Sequence, residues 1–358
     1  MGSERTRVAV WGVGMTGAAV VQLIARNPDL QLVAGLGYNP DKKGRDVGEL
    51  AGAGNLGVPL TLDPEELIAA RPDAVIHLAR DLGNFAADDE LVRLLEAGLN
   101  VITALPYTNL AFRGAEVRDR FQAAAERGGV SFMVCGIDPD YTWERQVVTA
   151  SGLCGELDGI HVTEIFRGDT LGEQTMPLFG FGQPVEKVRA DEVFLRFVYN
   201  YIAPSMQWAC AKMGFELEEV TVKSLSEPTD VQIAHPLVTI EPGTVGLSIT
   251  RIEGWIDGNV FATHDVKYHV GVNRPAEAPT DECWIVELEG RPSVRTTVQS
   301  MASIREGTAR YADDSKQIPP GYWITAGPLV RAIPVVIGAE PGIKEPALPE
   351  TMFVRPGR

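Results

Sequence analysis

The sequence predicts an α/β protein in which a doubly wound parallel sheet is followed by a second α+β domain built on a mostly antiparallel sheet. Three observations carry that prediction. From Arg7 to Ile137 short apolar runs alternate with amphipathic stretches, the first run ends in a glycine-rich turn, and the rhythm changes after Pro139. Nearly continuous apolar strands separated by helices are what a parallel sheet covered on both faces needs.

The elements follow in order. "RVAVW" reads as a strand leading into a helix through Ala25, "LQLVAGL" as a second strand before a loop, and "VPLTL" as a third before "DPEELIAARP". "DAVIHLA" precedes a helix ending near Gly98, "NVITAL" precedes a helix around "AEVRDRFQAAAERGG", and "VSFMVCGI" closes the series. Beyond Pro139, "YTWERQVVTASGL" reads as helix, "IHVTEIF" as strand, and "DEVFLRFVYNYIAPSMQWACAKMGF" as one long helix that Pro204 should kink or split. Strand-like segments then dominate, among them "TVGLSITRIEGWI", "NVFATHDVKYHV" and "CWIVELEG", separated by Gly, Pro, Asn and Asp. The expected domains are 1–140 and 141–319, with a helix over 320–345, ended at Pro334 or soon after, packing back on the first domain.

Composition narrows the function. A chain of 358 residues with 45% apolar and 22% charged side chains fits a two-domain globular protein. Its net charge of −16 argues against binding nucleic acid or an anionic membrane surface, which requires clustered Lys and Arg. Four cysteines lie far apart, without metal-ligand or disulfide-scaffold spacing, so free thiols and no metal are expected. The polar first six residues leave no room for a signal-peptide core, and no run approaches the ~20 apolar residues of a membrane span. A cytoplasmic protein is expected.

The first strand runs into Gly12-x-Gly14-x-x-Gly17. In a dinucleotide-binding (Rossmann) turn the first glycine allows the tight bend, the second lets the backbone approach a pyrophosphate, and the third lets helix pack on strand. Met15 and Thr16 then fall at the helix N-terminus, where free N–H groups favour an anion. The acidic residue that would hold a ribose 2′-hydroxyl is expected ~20 residues on. Asp and Glu are absent from Val33 to Pro40, whereas Asn39 is followed by Lys42, Lys43 and Arg45. That favours NADP over NAD, unless the cations merely solvate a loop. Ala79 and Arg80 after the fourth strand and Pro106 after the fifth should border the same cofactor.

With these residues in view, the chain resembles the dihydrodipicolinate-reductase-like oxidoreductases, within them the 2,4-diaminopentanoate dehydrogenase and native amine dehydrogenase branch. The resemblance rests on "VWGVGMTG", "NPDKKGRDVGEL", "SGLCGELDGIHVTEI", "FGFGQP" and "VRAIPVVIGAEPGI". It implies a Rossmann domain, a second domain forming substrate pocket and dimer contact, and hydride transfer at a C=O or C=N carbon. Three departures stand out. The reductases' His-His-x-x-Lys helix is missing; Thr108 or Asn109 falls where the amine dehydrogenases carry a glutamate; and "GIDPDY" replaces a Gly-x-Asn-Pro-Gly-Phe-like turn.

The proton carrier must therefore be sought among other residues. Tyr107 in the turn after the fifth strand can donate from a phenol of lowered pKa. Asp140 and Tyr141 lie just past the sixth strand, at the carboxyl ends where open parallel sheets bind ligands, and Asp140 can replace the missing glutamate. His264 and Glu164, from strands of the second domain, can line the opposite wall, with Thr108, Asn109 and Phe179 contacting substrate. The segment "FRGDTLGEQTMPLFGFGQP" is either a mobile cover or a static loop. Each of these side chains also has an ordinary reading as packing, a turn or a solvated sheet residue. The alternative function is a dinucleotide-binding redox sensor or scaffold without catalysis.

Overall fold

The computed structural model describes residues 5–79, 81, 83–172, 175–280, 282–304 and 318–356. Two compact units emerge, Met1–Tyr141 with Arg310–Ala347, and Thr142–Ala309 with Leu348–Arg358.

In the first unit, β1 (Thr6–Trp11), β2 (Leu30–Leu36), β3 (Leu60–Thr61), β4 (Ala74–His77), β5 (Asn100–Thr103) and β6 (Ser131–Val134) alternate with α1 (Met15–Arg26), α2 (Val47–Ala51), α3 (Pro64–Ala69), α4 (Asp88–Glu96) and α5 (Ala115–Gly128). Successive side chains along each strand point to opposite faces, and each face has its own core. Ala9, Val75, Val101 and Phe132 face a cluster with Leu91, Leu95 and Phe121 of α4 and α5. Val8, Val10, Ile76 and Ile102 face Ala19, Val20 and Ile24 of α1. Burial on both sides explains why "AVIH" and "SFMV" show no polar alternation.

A π-helical stretch (Tyr141–Val147) begins at the last residue of the first segment and continues in the second unit as α6 (Val148–Ser151), followed by β7 (Glu156–Arg167), α7 (Val185–Arg189) and α8 (Glu192–Lys212). Then come β8 (Glu219–Ser224), β9 (Glu227–Pro228), β10 (Ile233–Ala234), β11 (Thr239–Ile240), β12 (Val245–Ile256), β13 (Asn259–His269), β14 (Cys283–Arg291) and β15 (Val294–Gln299). The main sheet runs β15-β14-β7-β13-β12-β8 with β9 on β12. Only β7 with β13 is a parallel pair; the others described are antiparallel. α8 starts where the Asp191 carboxylate accepts the Val193 and Phe194 amides. Pro204 does not split the helix, and helical geometry continues through it. The buried proline ring sits in a stretch held against β8 and β12, and that packing outweighs the local penalty.

The C-terminal region differs from the single helix expected over 320–345. α9 (Pro320–Arg331) and α10 (Ile333–Ile337) are separate, and β16 (Gly342–Lys344) then adds a seventh strand beside β6. Pro334 starts α10 rather than stopping a helix, because a missing N–H costs nothing in a first turn. The completed sheet reads β16-β6-β5-β4-β1-β2-β3. α9 lies on α1, and Ser131 Oγ donates to the Val336 carbonyl at 2.9 Å.

All four cysteines are free and buried, and burial pushes the Cys210 thiol up to about 12. The folded protein is therefore expected to give no thiol reaction with a disulfide reagent at about pH 8, and full reaction in guanidinium. Rapid modification of any cysteine in the native state would contradict this packing.

Candidate functional site

The strand order reverses between β4 and β1, and ligands of open α/β sheets bind at that switch point. The glycine turn lies there. Gly12 has φ +101°, and a Cβ on it would stand 2.3 Å from the Leu78 carbonyl oxygen. A Cβ on Gly17 would stand 2.0 Å from the Gly12 oxygen. Gly14 differs, since a Cβ there would meet nothing within 4 Å. It is exposed, caps α1 with its backbone and leaves the first-turn N–H groups without a side-chain cap. Those donors and the positive end of the α1 dipole suit a phosphate.

A cavity of about 220 Å³ adjoins this turn, lined in part by Gly12, Gly14, Tyr38, Asn39 and Lys42. No Asp or Glu is among its lining residues. The Asn39 side chain accepts the Asp41 amide at 2.9 Å, which starts a short 3₁₀ turn carrying Lys42. Trp11 Nε1 donates to the Tyr38 hydroxyl at 2.7 Å and steadies a ring that is otherwise more than half exposed. Met15 is exposed and Thr16 half-buried on the first turn of α1. Ala79 and Pro106 are buried at the ends of β4 and β5, while Arg80 lies outside the described residues.

Tyr107 is buried in the core, and its phenol lacks the lowered pKa expected of a proton donor. Its side chain is 1% exposed within the α4–α5 core, with Phe85 and Phe121 each 5.7 Å away between ring centroids. Burial, then the nearby Asp88 carboxylate, drives its phenol far above the ordinary range. Asp88 is clamped by Arg113, whose guanidinium also lies 3.8 Å over the Phe85 ring. The sequence pattern gave "LPYTN" as a loop; the ring folds back because a large apolar surface is worth more inside. Thr108 and Asn109 are half-buried in the same turn.

Asp140 is buried with φ +100°, and its Oδ2 accepts the Cys135 thiol at 3.3 Å. A left-handed backbone at a non-glycine residue is strained, and such strain gathers at functional positions. Tyr141 is half-buried beside it in sequence. Glu144, one helical turn on, is completely buried. Sequence reading passed over Glu144, yet positions 144, 147, 148 and 151 form one helical face on which a carboxylate is out of place.

In the second unit, His264 and Glu164 do share one sheet face. His264 is not an acid at neutral pH: burial lowers its pKa to about 3. Its Nδ1 accepts the Trp143 indole N–H at 2.9 Å. Glu164 Oε2 accepts the Trp284 indole N–H at 3.2 Å and stands 3.8 Å from His264 Nε2, beyond hydrogen-bond length. Phe179 is buried, its ring 4.1 Å from that of Tyr268 and 5.2 Å from that of Phe194. Among the described residues, no group of three or more His, Cys, Asp or Glu is placed to hold a metal ion, and no helix is long and apolar enough to cross a membrane.

The fold and the glycine turn define a class, that of proteins with a Rossmann-type parallel-sheet domain and an added α+β domain. Residues 6–98 match the family described as dihydrodipicolinate reductase, N-terminus. Over 354 aligned residues, 93% of each chain, the protein is 29% identical to an amine dehydrogenase of Streptomyces virginiae. A 4-hydroxy-tetrahydrodipicolinate reductase of Rippkaea orientalis is 42% identical, but only over 55 residues, 15% of this chain and 20% of that one. The fold matches the structure of the amine dehydrogenase from Mycobacterium smegmatis with a TM-score of 0.72 at 21% identity, over 98% of this chain and 99% of that one.

Two expectations follow. Gly12→Ala should destabilise the fold itself, because backbone atoms cannot yield to the new methyl group. Gly14→Ala should leave stability within ~1 kcal/mol yet weaken dinucleotide binding at least ~10-fold, equivalent to about 1.4 kcal/mol. Thermal melts with and without NADPH separate the two, and equal behaviour of the variants would refute the assignment. The second concerns pH. His264 stays neutral when folded, whereas in the unfolded chain it takes up a proton as pH falls through roughly 6.5, so this residue should cost the fold roughly 1 kcal/mol per unit between about pH 6 and pH 4. Urea midpoints of wild type should drop faster than those of His264→Gln over that window; parallel curves would contradict a neutral buried imidazole.

Proposed function

We propose that this protein is an NADP-preferring oxidoreductase that moves hydride between nicotinamide and the C=O or C=N carbon of a small, partly apolar substrate, interconverting amine and carbonyl. The observation that carries the reading is the open cradle at Gly14, beside a cavity lined by Asn39 and Lys42 without a carboxylate. Full-length similarity to an amine dehydrogenase supports the amine side of the chemistry.

The chain's own residues divide the work. The α1 N-terminus and Gly14 hold the pyrophosphate, and Lys42 with Asn39 receives a 2′-phosphate that an acidic residue would repel. Tyr38, held by Trp11, walls the same cavity. When bound, the nicotinamide supplies the hydride. Asp140 then handles the proton that leaves or joins the reacting nitrogen or oxygen, taking the part assigned by resemblance to the missing glutamate. The Cys135 thiol restrains the carboxylate, and the left-handed backbone fixes its direction. Thr108 and Asn109, in the turn after β5, contribute substrate contacts.

Fluorescence titration with NADPH and NADH, followed by ketones with and without ammonium, tests this directly. Tighter NADPH binding and ammonium-dependent oxidation are expected. Asp140→Asn should lower that turnover by ~100-fold with NADPH affinity unchanged, whereas Glu144→Gln should leave more of it. An unimpaired Asp140→Asn enzyme would remove Asp140 as the proton carrier, and binding of NADPH without oxidation of any carbonyl would overturn the proposed reaction.

A further inference from the structure

Tyr38 is oriented in the reverse of the way a surface tyrosine usually is. Such a residue ordinarily packs its ring and leaves its hydroxyl wet. Here the side chain is 57% exposed, while the hydroxyl turns onto a buried indole and accepts the Trp11 Nε1–H at 2.7 Å. Burial raises the phenol's pKa, so the accepting oxygen belongs to a neutral hydroxyl near neutrality.

The anchor is itself fixed. Trp11 ends β1 at 2% exposure, and its ring lies 5.2 Å from that of His77, the last residue of β4. His77 Nε2 is in turn 3.2 Å from the Glu90 carboxylate of α4. Trp11 is absent from the residues that line the 220 Å³ cavity, so it reaches an occupant through Tyr38. Leu50, Leu60 and Leu78 give that cavity apolar walls. Its volume is below that of pockets enclosing a whole drug-sized ligand and suits one part of a longer molecule. An exposed ring held still beside aliphatic side chains fits a planar base, whose π-face stacks on an aromatic residue. The dinucleotide reading supplies that base. A 2′-phosphate on Asn39 and Lys42 belongs to the ribose that carries adenine, which places adenine in the same cavity.

We infer that Tyr38 is the stacking platform for the adenine base and that Trp11 is a positioning residue, which raises dinucleotide affinity by holding the ring in place before the ligand arrives. This rests on the dinucleotide reading, but not on the reaction proposed for it. A side chain already held in its bound position loses little freedom when the ligand binds. Stacking requires an aromatic ring rather than bulk, whereas the tether requires one N–H and one hydroxyl. Substitution therefore separates the two parts.

Calorimetric titration of the full-length protein with NADPH and with 2′,5′-ADP measures both parts without depending on tryptophan emission. Tyr38→Leu, which keeps an apolar side chain but loses the ring, should weaken both ligands at least ~5-fold. Tyr38→Phe and Trp11→Phe each remove the tether and keep a ring at position 38, and each should weaken binding by roughly 3-fold. The double variant should bind no worse than either single one, because both changes break the same bond. If Trp11 served the fold alone, its loss would weaken binding by the same factor in both backgrounds. Should Trp11→Phe fail to fold, the order wild type, Tyr38→Phe, Tyr38→Leu still decides, since Tyr38 is a surface residue. Wild-type affinity in Tyr38→Leu would overturn the platform, and wild-type affinity in Tyr38→Phe or additive losses in the double variant would overturn the positioning. Wild-type protein that binds neither ligand would remove the dinucleotide reading itself, whereas ring-dependent binding without NADPH oxidation by any carbonyl would keep the platform and remove only the reaction.

Discussion

The first unit depends on one close approach. The Gly12 backbone passes so near the Leu78 carbonyl that no side chain fits, and α1 can start where it does only because Gly17 lies against Gly12. A larger residue at either position would push the helix off β1. The helix then could not bury Ala19, Val20 and Ile24 against Val8, Val10 and Ile76, nor serve as the surface on which α9 packs. The same steric constraint that seals this half of the core also points the free N–H groups of α1 outward beside Gly14. Core packing and anion recognition are here two consequences of one geometry.

Polar burial organises the second unit in a different way. On the outer face of its sheet charges are paired: Arg251 grips Asp265 through two hydrogen bonds of 2.6 and 2.7 Å, and Lys267 reaches Glu277. On the inner face indole N–H groups replace cations, Trp143 on His264 and Trp284 on Glu164. Indoles fill space and give one directed donor each without adding charge. They thereby hold a histidine and a carboxylate within reach of each other without neutralising either.

The sequence made the parallel sheet legible because periodicity and glycine spacing are local signals. It also showed the mixed sheet and the long helix. What it hid was set by distance along the chain. β16 is three residues long and is recognisable as a strand only through its pairing with Ser131–Met133. Sequence places Tyr107 in a short polar turn, as a proton donor or as packing, while the ring's destination depends on Phe121 and Phe132 from later elements. In "GLSITRIEGWI" the alternation was visible, but which side faced inward was not. Ser248 and Thr250 lie on one face with Ile252, and Leu247, Ile249, Arg251 and Glu253 on the other, so apolar residues are buried on both faces and alternation alone does not choose between them.

The proton carrier shows how structure narrows chemistry by elimination. A phenol enclosed by Phe85, Phe121 and Phe132 beside a carboxylate cannot ionise near neutrality, and an imidazole whose pKa lies near about 3 cannot arrive protonated. Both failures have the same origin, since burial disfavours the charged form on whichever side of neutrality the group begins. Asp140 and Glu144 are both buried, and Asp140 adds a strained backbone and a thiol donor that hold the carboxyl in one direction. Strain of that kind persists where the surrounding structure enforces it, and it gains a reason when the enforced direction is the one in which a proton must travel.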